Sequence, residues 1–110
     1  GLNSRRIFKV FFADMDADGV REVVLGIVKT IDGQAYRRVY LFTVESTMFA
    51  PKWLGSRLSF LLDDFDVVPY KRFQAIRARE THLGKHYLAW YLWDRFGFRT
   101  ISMKEISSHE

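Results

Sequence analysis

The sequence predicts an all-β domain of about eight antiparallel strands arranged in two four-stranded, blade-like sheets. Three observations carry that reading. Runs rich in β-branched and aromatic residues recur every 10 to 14 residues or so; Gly, Pro and Asp punctuate the gaps; and the stretch with a rival helical reading, residues 73–96, does not keep its apolar residues at the 3.6-residue spacing of a helix.

Taken in order, residues 7–12 read I-F-K-V-F-F and residues 22–29 read E-V-V-L-G-I-V-K, two strand-forming runs either side of an acidic loop. The second run is apolar at both alternate sets of positions, Val23, Leu25, Ile27 and Val24, Gly26, Val28, as a strand covered on both faces requires. Asp32-Gly33 marks a tight hairpin leading to a strand over residues 36–44. Pro51 assigns residues 45–52 to a turn, and residues 53–58 follow as an edge strand interrupted by Gly55. Residues 63–68 restart the pattern, Pro69 and Lys71-Arg72 turn the chain, and residues 73–80 form the next strand. After a turn at 81–85, residues 86–94 (H-Y-L-A-W-Y-L-W-D) are the most aromatic run, and residues 98–104 alternate as the last strand. A helix over residues 73–96 is the rival reading; Gly84 in mid-span and aromatics all round its circumference oppose it. The tail at 106–110 is expected to fray.

With 110 residues, 48% hydrophobic and 16% aromatic, and with only 2 Pro and 7 Gly, the chain reads as one folded domain over 1–110. Its first unit spans 7–60 and its second 61–105. The absence of cysteine excludes a disulfide scaffold, a thiolate zinc site and a Cys nucleophile. No apolar run approaches the 18 or so residues of a membrane-spanning helix. The opening Gly1-Leu2-Asn3-Ser4 holds no start methionine and no signal-peptide core, so targeting is not readable here. Net charge is +4, but the adjacent basic pairs Arg5-Arg6, Arg37-Arg38 and Lys71-Arg72 do not grow into a nucleic-acid-binding tract.

The stretch whose spacing demands chemistry is Asp14-Met15-Asp16-Ala17-Asp18-Gly19-Val20-Arg21-Glu22. Carboxylates this close repel one another unless a hard cation sits between them. Oxygen ligands at loop positions 1, 3 and 5, a backbone carbonyl at 7 and a carboxylate at 9 can wrap one Ca²⁺, with Gly19 supplying the sharp turn. The expected ligands are Asp14, Asp16, Asp18, the Val20 carbonyl and Glu22. Ca²⁺ is expected over Mg²⁺ because the loop offers many oxygens in flexible geometry. An EF-hand would instead place its bidentate Glu at position 12, which is Leu25, between flanking helices. The plain alternative is a solvated hairpin turn, since Asp and Gly are turn formers.

Residues 7–28, I-F-K-V-F-F-A-D-M-D-A-D-G-V-R-E-V-V-L-G-I-V, resemble the FG-GAP/VCBS repeat, the strand, D-x-D-x-D-G-x-x-[DE] loop and strand of integrin-like and bacterial β-propeller blades. The resemblance implies four-stranded antiparallel blades, a structural calcium ion held by Asp14, Asp16, Asp18 and Glu22, a binding role, and an extracytoplasmic location. The chain has no Phe-Gly-Gly-Ala-Pro element upstream of the loop, and its second half from Asp63 has no second acidic loop, so only the first unit is expected to carry an ion.

Other groupings point to chemistry more weakly. His82 and His86 with Glu80 have zinc-like spacing only on a helix, and the turn between them favours surface histidines. Asp63, Asp64 and Asp66 read as strand-end acids pairing with Arg72 or Arg77 rather than as a hydrolytic pair. Tyr87, Trp90, Tyr91 and Trp93, with Trp53 and Phe98, read first as core, and Trp90, Tyr91 and Trp93 are the candidate interface residues if one face is left uncovered. Two blades cannot close a ring of four or more, so a homo-oligomer, a larger assembly or a protein or glycan ligand is expected. The first functional reading is therefore a calcium-binding interaction module. The alternatives are a metal-assisted hydrolase and a basic, aromatic nucleic-acid-binding barrel.

Overall fold

The computed structural model describes residues 4–45, 48–54, 58–94 and 97–107. Eight strands follow one another: β1 (Ser4–Ala13), β2 (Glu22–Ile31), β3 (Gln34–Glu45), β4 (Met48–Leu54), β5 (Leu61–Tyr70), β6 (Phe73–His82), β7 (Lys85–Asp94) and β8 (Gly97–Ile106). All pair antiparallel, and the described residues contain no helix. The helical alternative over 73–96 is replaced by the β6–β7 hairpin, whose two-residue turn sets Leu83 and Gly84 at positive φ, as its tight geometry requires. Asp32-Gly33 turns in the same way between Ile31 and Gln34, where the sequence placed it.

Two expectations are corrected. The strands do not form two separate sheets: β1-β2-β3-β5-β6-β7-β8 is a single open sheet, with β4 pairing β3 beside that path. The four-plus-four division survives only approximately, as two meanders joined by one backbone pair, Arg37 with Leu62. Secondly, the fourth strand lies at 48–54 rather than 53–58, and Pro51 sits inside it opposite Phe42. Among the described residues β4 pairs only with β3, and an edge strand tolerates a residue that has no N–H to donate. Part of the expected strand, residues 55–57, and the end of the expected frayed tail, residues 108–110, lie outside the described residues.

The two meanders bury their inner faces against each other. Val24, Val39 and Leu41 from the first meet Leu62, Phe65, Ile76, Ala78, Ala89, Tyr91 and Trp93 from the second. Phe65 is the wedge, its ring 6.0 Å edge-on from Phe8 and 5.8 Å from Phe11. Gly26 on β2 makes room for it, since a Cβ there would lie 2.7 Å from Phe65 Cε1 and 2.8 Å from Phe8 Cζ. Phe8 reaches this position as the extra residue of a bulge between Ile7 and Lys9.

The aromatic run on β7 serves the core. Ala89, Tyr91 and Trp93 alternate inward, and Tyr91 and Trp93 are only 2% and 8% exposed, so these two are removed from the candidate interface. Trp53 and Phe98 pack edge-on against the Trp93 ring at 6.2 and 5.3 Å. Trp90, on the other face, is half-buried against Tyr70 and beneath the Arg77 guanidinium.

Candidate metal centre

Pairing of Ala13 with Glu22 leaves residues 14–21 as the β1–β2 connection, whereas β2–β3, β5–β6 and β6–β7 turn in two residues each. The loop is folded around its acids. Asp14 accepts hydrogen bonds from the amides of Asp18 (3.2 Å) and Gly19 (2.7 Å), and Asp18 accepts one from Val20 N–H at 2.8 Å. Ala17 and Gly19 adopt positive φ, which curls the backbone enough to aim alternate side chains at one point. Met15, between Asp14 and Asp16, points the other way into the core and anchors the loop. The sequence reading passed over Met15, although an apolar residue amid four acids was its signal.

Carboxylate oxygens of Asp14, Asp16, Asp18 and Glu22 converge within 4.8 Å of one another, so the structure brings together every side chain of the expected set. Val20, expected to lend its carbonyl, contributes its amide to Asp18. Glu22 differs from the three aspartates. It shares the inner face of β2 with Val24 and is fully buried, 0% exposed, with Thr43 as its cross-strand neighbour. Its Oε1 accepts the Met15 amide at 3.1 Å, but Oε2 is buried with no hydrogen-bond partner among the described residues, and so is Oδ1 of Asp16.

A buried, unpartnered carboxylate oxygen costs free energy unless something positive answers it. Part of the answer is Lys52, whose ammonium lies 3.8 Å from Asp16 Oδ2 and 4.0 Å from Glu22 Oε1. Lys52 is the extra residue where β4 bulges between Pro51 and Trp53, a device that re-aims one side chain. One ammonium does not balance four carboxylates. Burial, with repulsion from Asp16 and Asp18, pushes the Glu22 carboxyl up to about 7 against the pull of the Met15 amide and Lys52. Burial and the adjoining Asp18 raise Asp16, while the Val20 amide holds Asp18 below the ordinary carboxylate range. Such a set favours a divalent cation or retained protons.

The second buried acid shows the contrast. Glu80 is also fully buried, yet both its oxygens are satisfied: Oε1 accepts the Phe60 amide at 2.6 Å and Oε2 accepts the Tyr91 hydroxyl, which itself accepts the Ser59 amide at 3.3 Å. That closed network ties the segment before β5 to β6 and β7 and asks for no ligand.

The remaining sequence candidates do not assemble into a second centre among the described residues. Lys9 bridges Asp64 (2.9 Å) and Asp66 (3.2 Å), Arg77 adds to Asp66, and Asp63 accepts the Thr81 hydroxyl. His82 stacks on Phe60, while His86 meets Thr81 through Nδ1. In comparisons with known proteins, no family model, no curated protein and no solved structure matches the chain, so the FG-GAP/VCBS likeness rests on residues 7–28 alone.

Proposed function

We propose that this chain is an extracytoplasmic β module that binds one structural Ca²⁺ in its β1–β2 loop and serves binding or assembly rather than catalysis. The observation that carries the ion is Glu22, a fully buried carboxylate with one oxygen unanswered, aimed into a cluster of three more. Asp14, Asp16, Asp18 and Glu22 would supply the side-chain oxygens, with the Val20 carbonyl as the expected backbone ligand. The ion would fasten the connection between the end strand β1 and the buried strand β2, adding about 2.7 kcal/mol at 100 times its Kd. Hard oxygen donors without nitrogen or sulfur suit Ca²⁺ and not Zn²⁺. No second group of acids or histidines joins the cluster among the described residues: Asp63, Asp64 and His82 are engaged elsewhere, in a hydrogen bond, an ion pair and a ring stack.

Calorimetric titration with calcium tests the reading, supported by terbium luminescence. Lys52 touches both Asp16 and the Trp93 ring, so an indole stands close enough to sensitise a lanthanide in the loop. One equivalent should bind, Asp16→Ala should weaken binding, and Asp64→Ala should leave it unchanged. Absence of a calcium heat together with absence of sensitised emission would reject the site.

A further inference from the structure

The two ends of the sheet's main path are finished differently. Both end strands carry three charges, Arg99, Lys104 and Glu105 on β8 and Arg5, Arg6 and Lys9 on β1, but β8 has none of the exposed large hydrophobic residues of the described molecule. β1, ten residues long, pairs only with β2 among the described residues, and it carries Ile7, Val10 and Phe12 at 55%, 49% and 63% exposure. Three of the six exposed large hydrophobic residues of the described molecule are therefore on one end strand. Beside residues 11–14 a cleft of about 610 Å³ separates β1 from Val67, Arg72 and Gln74 of the second meander, whereas at Lys9 the strand is tied to Asp64 and Asp66 of β5.

Register adds a charge pattern that the linear sequence scatters. Arg5 pairs with Lys29 and lies one rung from Arg6, whose row across β2 ends on Arg37; Arg38 follows on the next rung. These cations occupy the end of the first meander where β1 begins. At the other end of β1 stands the acidic loop of Asp14, Asp16 and Asp18. The strand is thus basic where it begins and acidic where it ends; between them Ile7, Val10 and Phe12 are exposed, while the one charge in the middle, Lys9, is turned to Asp64 and Asp66 of β5.

We propose that β1 docks against the β1 of a second copy of this chain, antiparallel about a two-fold axis near Val10. That arrangement sets Arg5 and Arg6 of each copy beside the acidic loop of the other, joins Ile7, Val10 and Phe12 into one apolar strip, and gives partners to the open backbone edge. A two-fold interface must be self-complementary, and a strand with opposite charges at its ends meets that condition only when run antiparallel to itself. Four carboxylates with Lys52 and a divalent ion still sum to one negative charge, so calcium should weaken the pairing without abolishing it.

Light scattering and sedimentation from micromolar to submillimolar protein, at low and high salt, in calcium and in chelator, test it. A dimer is expected that weakens as salt rises. Phe12→Lys should weaken it at least about tenfold, and Arg5→Glu with Arg6→Glu should weaken it and remove the salt dependence. Leu83→Lys, an exposed residue at the β6–β7 turn, should leave it intact. All these side chains are exposed, and circular dichroism confirms that each variant is folded. Backbone amides of β1 should also gain hydrogen-exchange protection with concentration. A monomer at the highest concentration in low salt overturns the proposal, as does a dimer indifferent to Phe12→Lys or abolished by Leu83→Lys.

Discussion

Replacing Glu22 by Gln separates the two states of the acidic centre, because the change has opposite signs with and without an ion. Gln keeps the shape and can still accept the Met15 amide, but it removes the buried charge. In the ion-free protein the Glu22 carboxyl sits at about 7 instead of its ordinary 4.5. At about 1.4 kcal/mol for each tenfold, roughly 3 kcal/mol opposes its ionised form. Because the folded-state value is raised, that stability is fully present below pH 4.5 and is lost as pH rises through 7. Glu22→Gln should therefore stabilise the chelated protein at pH 8. The Gln amide, facing the same pocket, takes back about 1 kcal/mol as an unsatisfied donor, leaving a gain of about 2 kcal/mol. At pH 5 the gain should vanish. In saturating calcium the order reverses, since the wild type gains about 2.7 kcal/mol at 100 times Kd and the variant little. Urea melts at pH 5 and pH 8, with calcium and with chelator, read all four conditions. A variant no more stable than wild type in chelator at pH 8, together with an undiminished calcium response, would refute both the buried charge and its role as a ligand.

Other substitutions probe the frame that holds the centre. Gly26→Ala should cost about 1 to 2 kcal/mol despite alanine's better backbone propensity, because its Cβ would meet the Phe65 and Phe8 rings inside the core; an unchanged urea midpoint would contradict that packing. Tyr91→Phe removes the hydroxyl that donates to Glu80 Oε2 and accepts the Ser59 amide, a loss of about 1 to 3 kcal/mol. Burial already raises Glu80, so this penalty should grow as pH rises through its titration; a pH-independent loss would show that Glu80 is not charged. Leu83, exposed and held at φ 51°, should gain about 1 kcal/mol on conversion to Asn, measured as a rise in thermal midpoint.

The sequence reading succeeded where the signal was local. The all-β class, the Asp32-Gly33 hairpin, the doubly covered β2 and the acid spacing are all written within a few consecutive residues. It failed where tertiary pairing overrode local preference. Pro51 looked like a turn because its tolerance on β4 depends on the strand lying at an edge. Lys52 was invisible as a partner of Asp16 and Glu22 because a bulge, not sequence proximity, delivers it. Tyr91 and Trp93 were candidates for an interface because composition does not say which face of an aromatic strand meets Phe65 and which meets solvent. Nor does spacing distinguish Glu22, with its unanswered oxygen, from the fully bonded Glu80, since that difference lies in which donors the fold brings near.

The central claim is that four converging carboxylates form a cation site rather than a solvated turn. A crystal structure determined in millimolar calcium, with anomalous scattering collected at long wavelength, tests it most directly. The account predicts one anomalous peak at about 2.3 to 2.6 Å from oxygens of Asp14, Asp16, Asp18 and Glu22, with Glu22 Oε2 among its ligands. Ordered water or the Lys52 ammonium against Glu22 Oε2, with no peak in the loop, would contradict it.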